Sequence, residues 1–243
     1  MDAPKVSAVE AARGIWRERY EGARVIFLGG SVLRGEATPA SDLDLVVVYE
    51  SLPNAYRESF VYGGWPVEAF VNDAGSLEVF FERDRLRGVP ALMGMVWEGL
   101  EVPEPGEFSE ALKRRARELL DAGPPPWDEG ELTLRRYRLT DWVDDVRFPR
   151  SPEELVATGA WLYQDAAEFY FRARGMWSAH SKTIPRRLRA TDAAFAERFV
   201  RAFEALFADK RPGPAIALVE ELLAPFGGLL FEGFRKEATK GDE

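Results

Sequence analysis

Two aspartates, Asp42 and Asp44, stand two residues apart at the head of an apolar run in GGSVLRGEATPASDLDLVVV, residues 29–48. Side chains two apart in an extended chain point the same way, so this spacing sets two carboxylates side by side. Close together they repel, by about 4 kcal/mol at an effective dielectric of about 20. A cation between them reverses the sign. Carboxylate oxygens are hard ligands that suit Mg²⁺, which keeps several waters and takes further ligands from phosphate. The pair makes chemical sense if a magnesium nucleotide is brought to it.

The residues just upstream supply the other half of such a site. Gly29-Gly30-Ser31 closes the preceding apolar run. Glycine lets a ligand approach the backbone closely, and the amides of a helix start favour phosphate oxygens. Ser31 adds a hydroxyl donor and is also a fitting N-cap for a short helix over SVLRGEA. Gly30 and Gly35 are spaced like the glycines of a P-loop, but Glu36 stands where that loop needs lysine, and no G-x-G-x-x-G occurs.

The elements that must position these residues follow from periodicity. Residues 4–20 read as an amphipathic helix anchored by Val6, Val9, Ile15 and Trp16. Residues 23–28 and 43–49 read as strands, with a turn at TPASD between them. Residues 57–72 read as a hairpin turning at Gly63-Gly64, since paired glycines supply the positive φ angles of a tight turn. In its second arm Glu68, Phe70 and Asn72 share one face, and Val67, Ala69 and Val71 the other. Glu68 joins the two aspartates if its strand lies beside theirs. Helices are expected over 75–87 and 90–100.

Beyond about residue 103 the pattern changes. Proline-rich breaks, VPEPGEF and DAGPPPWDEG, flank a helix at 108–121, and residues 131–147, 152–174, 191–209 and 213–233 carry helical patterns. The expectation is an α/β unit over 1–105 followed by a helical bundle over 106–243.

Composition narrows the function. The 243 residues contain no cysteine, which excludes disulfides and thiolate metal sites, and a single histidine, His180, which excludes multi-histidine zinc sites. No apolar run is long enough to span a membrane, and the N-terminal residues lack the basic start and apolar centre of a signal peptide, so a cytoplasmic protein is expected. The net charge of −9 disfavours nucleic acid as a partner and suits a cationic or neutral small substrate.

With those residues in view, Gly30-Ser31 followed, after ten intervening residues, by Asp42-Leu-Asp44-Leu resembles the signature of the polymerase-β-like nucleotidyltransferase superfamily, with Arg34-Gly35 and Ser41 as typical flanking residues and VEAFV, holding Glu68, as its third acidic strand. Residues 173–190, ARGMWSAHSKTIPRRLRA, resemble the helical domain of bacterial streptomycin/spectinomycin-type adenylyltransferases. The resemblance implies an α+β fold: a mixed-sheet nucleotidyltransferase domain, then a helical, substrate-binding domain. It implies transfer of NMP from an NTP, with ATP as co-substrate, to a hydroxyl of a small molecule, including aminoglycoside-like antibiotics, with release of pyrophosphate. Asp42 and Asp44 would hold Mg²⁺, two ions in all. Glu68 would be a further ligand or the base that takes the hydroxyl proton. Gly30, Ser31, Arg34, Ser41 and Lys182 would bind the nucleotide.

Several of these residues have plainer roles open to them. Lys182 also reads as a solvated lysine, and Arg34 as a cover for apolar surface. Trp142, Asp144 and Asp145, beside Asp141, suit an ammonium-bearing substrate through charge and cation–π attraction; the simpler reading is a solvated helix face paired with Arg135, Arg136 and Arg138. Two other function classes remain open. A protein-AMPylating, antitoxin-like enzyme fits the motif but not the long helical half, and a non-catalytic nucleotide-binding module fits poorly with three intact acidic positions.

Overall fold

The structure, a computed structural model, describes residues 6–237. Residues 4 and 5 of the first expected helix lie outside that range. The chain divides into two compact units, Met1–Pro124 and Pro125–Glu243.

Unit 1 opens with helix α1 (Ala8–Glu18), whose Ser7 and Glu10 exchange side-chain and backbone hydrogen bonds in a capping box. Strands β1 (Val25–Gly29) and β2 (Leu43–Tyr49) follow, then the hairpin of β3 (Tyr56–Tyr62) and β4 (Trp65–Asp73). The hairpin turns at Gly63 and Gly64, both at positive φ as expected. Helices α2 (Ala74–Arg87) and α3 (Ala91–Glu98), strand β5 (Leu100–Val102) and helix α4 (Glu107–Ala122) complete the unit.

The five strands form one mixed sheet in the order β3-β4-β2-β1-β5. Strands β2 and β4 run parallel, and the other pairs are antiparallel. Strict alternation gives the sheet two different faces. On one, Ile26, Leu28, Leu43, Leu45, Val47, Val67, Ala69 and Val71 pack with Ala11, Ala12 and Ile15 of α1 in a continuous core. The other face carries Asp44, Glu68, Phe70 and Asn72, and α2 and α3 lie against it.

Unit 2 is helical: α5 (Glu129–Arg147), α6 (Pro152–Arg172), α7 (Ile184–Thr191), α8 (Ala193–Phe207) and α9 (Gly213–Leu223), with 3-10 turns at Ser181–Thr183 and Ala224–Phe226. Its core is rich in phenylalanine, with Phe169, Phe171, Phe199 and Phe203 almost fully enclosed.

Four details differ from the sequence expectation. Residues 31–35 are turns rather than a helix; Gly35 sits at φ 70°, and so short a helix is marginal without packing. Strand β5 occupies the end of the expected 90–100 helix, paired with β1. The division falls after Pro124 rather than near 105, because α4 packs on α2 and α3 and ties to unit 1 through the Lys113–Glu101 and Arg115–Glu78 ion pairs. Helix α9 ends at Leu223 rather than continuing to 233, since Pro225 follows and Gly227 and Gly228 turn left-handed.

Asp84 of α2 is buried and caps a helix that is not its own. Its Oδ2 accepts the amides of Leu92 (2.7 Å) and Met93 (3.4 Å), in the first turn of α3, and its Oδ1 accepts from Arg87 Nη2 at 2.6 Å. Helix α3 has no cap of its own, since Pro90 precedes it. Burial pushes the Asp84 carboxyl above the ordinary carboxylate range, against the pull of Arg87 and the two amides. Asp84→Ala is expected to cost about 2–3 kcal/mol in urea unfolding, because buried donors lose their acceptor. Asp84→Asn keeps an acceptor and removes a buried charge, and should cost at most about 1 kcal/mol.

Candidate active site

Sheet register builds the site. Gly29 of β1 lies opposite Asp44 of β2, and Asp44 lies opposite Glu68 of β4. The three positions form one row across the sheet, and all face away from α1. Asp42 stands one residue before β2. Asp42, Asp44 and Glu68, each partly buried, offer carboxylate oxygens that lie within 4.8 Å of one another. The adjacency of Glu68 to the aspartates, which the sequence left conditional, is thus met by the parallel β2–β4 pair.

Three hard anionic donors at this spacing fit a divalent ion of the Mg²⁺ type and leave coordination positions for water and phosphate. Strand β3 contributes a counter-charge: Arg57 Nη2 lies 2.6 Å from Glu68 Oε2, and the guanidinium rests over the Phe70 ring at 4.9 Å. Nothing local in the sequence marks Arg57. It became visible once the hairpin register set Arg57 opposite Phe70.

Gly30 adopts φ +84°, and a Cβ there would overlap Asp44 Oδ2. Glycine at this position therefore serves both the turn and the close approach of the carboxylate. Ser31 Oγ lies 3.2 Å from Ser41 Oγ, and Ser41, buried, also accepts the Thr38 amide at 2.8 Å. Ser41 thus holds the two ends of the 31–41 loop together. Arg34 is exposed, 3.5 Å from both Glu36 and Glu98. Since no helix follows Gly30, a helix N-terminus is not among the groups that face a phosphate here.

The remaining sequence candidates belong to unit 2. Lys182 is exposed in the 3-10 turn Ser181–Thr183. Trp142 Nε1 donates to Asp165 at 2.8 Å, and Asp165 is also held by Arg138 at 2.6 Å. Arg135 pairs with Glu131 and Glu168. Asp144 and Asp145 are exposed, with Asp144 3.5 Å from Arg147. The acidic groups nearest Trp142 are largely matched by arginines, which is the pattern of an ion-paired helix face.

Residues 9–90 match the family described as Nucleotidyltransferase domain. That span runs from α1 to the end of α2 and contains Gly30, Ser31 and all three carboxylates. No curated protein matches the chain. Among solved structures the chain is similar to a nucleotidyltransferase-like protein from Exiguobacterium sibiricum 255-15, at 18% identity over 89% of this chain and 74% of that one, with a TM-score of 0.45. The domain match supports a nucleotidyltransferase. Among the described residues, no helix is long and apolar enough to cross a membrane.

Gly30→Ala tests the packing of the site directly. The methyl displaces Asp44 Oδ2 and strains a left-handed residue, for about 1 kcal/mol of stability. Binding of Mn²⁺, followed by its electron paramagnetic resonance signal, should weaken by at least about tenfold, or about 1.4 kcal/mol.

Proposed function

We propose that this chain, carrying a nucleotidyltransferase domain over residues 9–90, transfers NMP from a magnesium-bound NTP, ATP foremost, to a hydroxyl of a small molecule and releases pyrophosphate. The observation that supports it most is the convergence of Asp42, Asp44 and Glu68 beside Gly30-Ser31. A row of carboxylates at this spacing is electrostatically unfavourable alone and favourable around a cation.

Asp42, just before β2, and Asp44, on β2, would hold the cation, and Glu68, beside them on β4, is taken as the base rather than as a further ligand. Mg²⁺ held by these carboxylates, two ions in this reading, would supply charge neutralisation for the triphosphate and for the entering and leaving oxygens. Gly30 lets the phosphates approach the backbone, and Ser31 offers its hydroxyl to them. The acceptor oxygen bonds to the α-phosphorus as the bond from that phosphorus to the α,β-bridging oxygen breaks. The electron pair of the broken bond leaves with pyrophosphate, and the acceptor's proton passes to Glu68. The chain's work is chiefly orientation and charge placement.

The reaction is tested with α-labelled ATP, Mg²⁺ and a panel of hydroxylated acceptors, reading labelled product and pyrophosphate. Asp42→Asn and Asp44→Asn should each lower the rate by at least about a thousandfold while leaving thermal unfolding nearly unchanged. Absence of both pyrophosphate release and Mg-ATP binding in calorimetry would refute the proposal.

A further inference from the structure

The chemical face of the sheet also holds a cavity of about 700 Å³, inside the usual small-molecule range of about 300–1,000 Å³. Phe70 and Asn72 of β4 and Arg57 of β3 form its floor, and α2 and α3 form its walls. Its lining is mostly apolar and includes Phe70, Phe80, Leu92 and Met95. All of it lies within unit 1.

The cavity adjoins the carboxylate row. Phe70 follows Glu68 by two residues on the same face of β4. Arg57 lines the cavity and at the same time pairs with Glu68. At another edge Met95 packs against Gly29, the glycine opposite Asp44.

Strand order fixes which reactant belongs here. Gly30-Ser31 follow β1, on one side of β2, whereas Glu68, Phe70 and Arg57 stand on β4 and β3, on the other side. In-line displacement requires the attacking oxygen to enter opposite the leaving group. With the leaving phosphates toward Gly30-Ser31, the nucleophile comes from the β4–β3 side, where the cavity lies. The charges then fix the class of ligand. Arg57, Arg83 and Arg87 line the cavity; Arg57 pairs with Glu68 and Arg87 with Asp84, the sole acidic lining residue among the described residues, which leaves Arg83, over the Phe80 ring, as the lining cation without a carboxylate partner there.

We propose that this cavity is the acceptor subsite and that it takes a hydroxylated carboxylic acid with an aromatic or aliphatic body. The apolar body lies against Phe70, Phe80 and Met95, the carboxylate meets Arg83, and the hydroxyl is directed to Glu68. A polycationic aminoglycoside is disfavoured by a lining that carries three arginines against one aspartate. The assignment rests on the transfer reaction proposed above, and adds to it the place and chemistry of the acceptor.

Two measurements on the full chain test it. The first uses 8-anilinonaphthalene-1-sulfonate, an apolar anion, as a fluorescent probe. Ala91→Trp puts an indole at the cavity wall from the exposed first residue of α3, and Arg83→Gln removes one cation from the exposed side of α2. Thermal unfolding shows that each variant folds. Probe affinity should fall at least about tenfold in the first and several-fold in the second; unchanged affinity in both folded variants overturns the assignment. The second compares hydroxylated aromatic and fatty acids with aminoglycosides as acceptors of labelled AMP. Labelled acid products, formed with a raised KM in Ala91→Trp, support the assignment, and no product from any acid overturns it. Labelled aminoglycosides without labelled acids would sink the acceptor assignment alone and leave nucleotidyl transfer standing. Loss of Mg-ATP binding altogether would remove both.

Discussion

Mutual repulsion among Asp42, Asp44 and Glu68 is the constraint to which the rest of unit 1 answers. Carboxylates left to themselves move apart, and here they are held within one cation's reach. What holds them is backbone hydrogen bonding. The parallel pairing of β2 with β4 sets Asp44 against Glu68, and pairing with β1 brings the glycine segment to the same row. Arg57, reaching across from β3, offsets part of the negative charge. Gly30 gives Asp44 room that any side chain would take.

The sheet can hold this arrangement because its two faces do separate work. Valines, isoleucines and leucines on one face bury against α1 in a continuous core. The opposite face buries Phe27, Val46 and Val48 as well, but carries polar groups at its Asp44–Glu68 end and an apolar hollow farther along β4. Asp84 fastens α3 to α2 and so shapes the wall of the hollow. The polar anchor lies in the scaffold rather than among the groups proposed to react, which keeps the wall rigid without adding a competing free anion.

Much of this was legible in the sequence where the signal is local. Strand β2 showed itself through a branched apolar run, the hairpin through Gly63-Gly64, and the orientation of Glu68 through simple alternation along β4. Non-local facts were not legible from physics alone. That β4 lies beside β2 came from family resemblance, since nothing in either strand encodes its neighbour. Strand β5 is three residues long, too short to show a period, and borrows its definition from β1. The turn at 31–35 has helix-compatible residues but is only five residues long and ends at a left-handed Gly35, so propensity misled. Asp84 looks like one more charge in FFERDRLR, and its burial depends on α3 arriving over it. In unit 2 helices α5, α6, α8 and α9 were readable from periodicity and the eight-residue α7 was not, while the ion pairing around Trp142 required knowing which helices are neighbours.

The parallel register has a consequence for how such a chain can change over evolutionary time. Adjacent positions on a strand face opposite ways, so a slip of one residue between β2 and β4 turns Glu68 into the α1 core and exposes Val67 or Ala69 in its place. Single-residue insertions or deletions within β4 ahead of Glu68 are therefore closed off. The loop from Glu50 to Ala55, outside the pairing, is where a change of length leaves the register intact, provided the Leu52 amide still reaches Asp73.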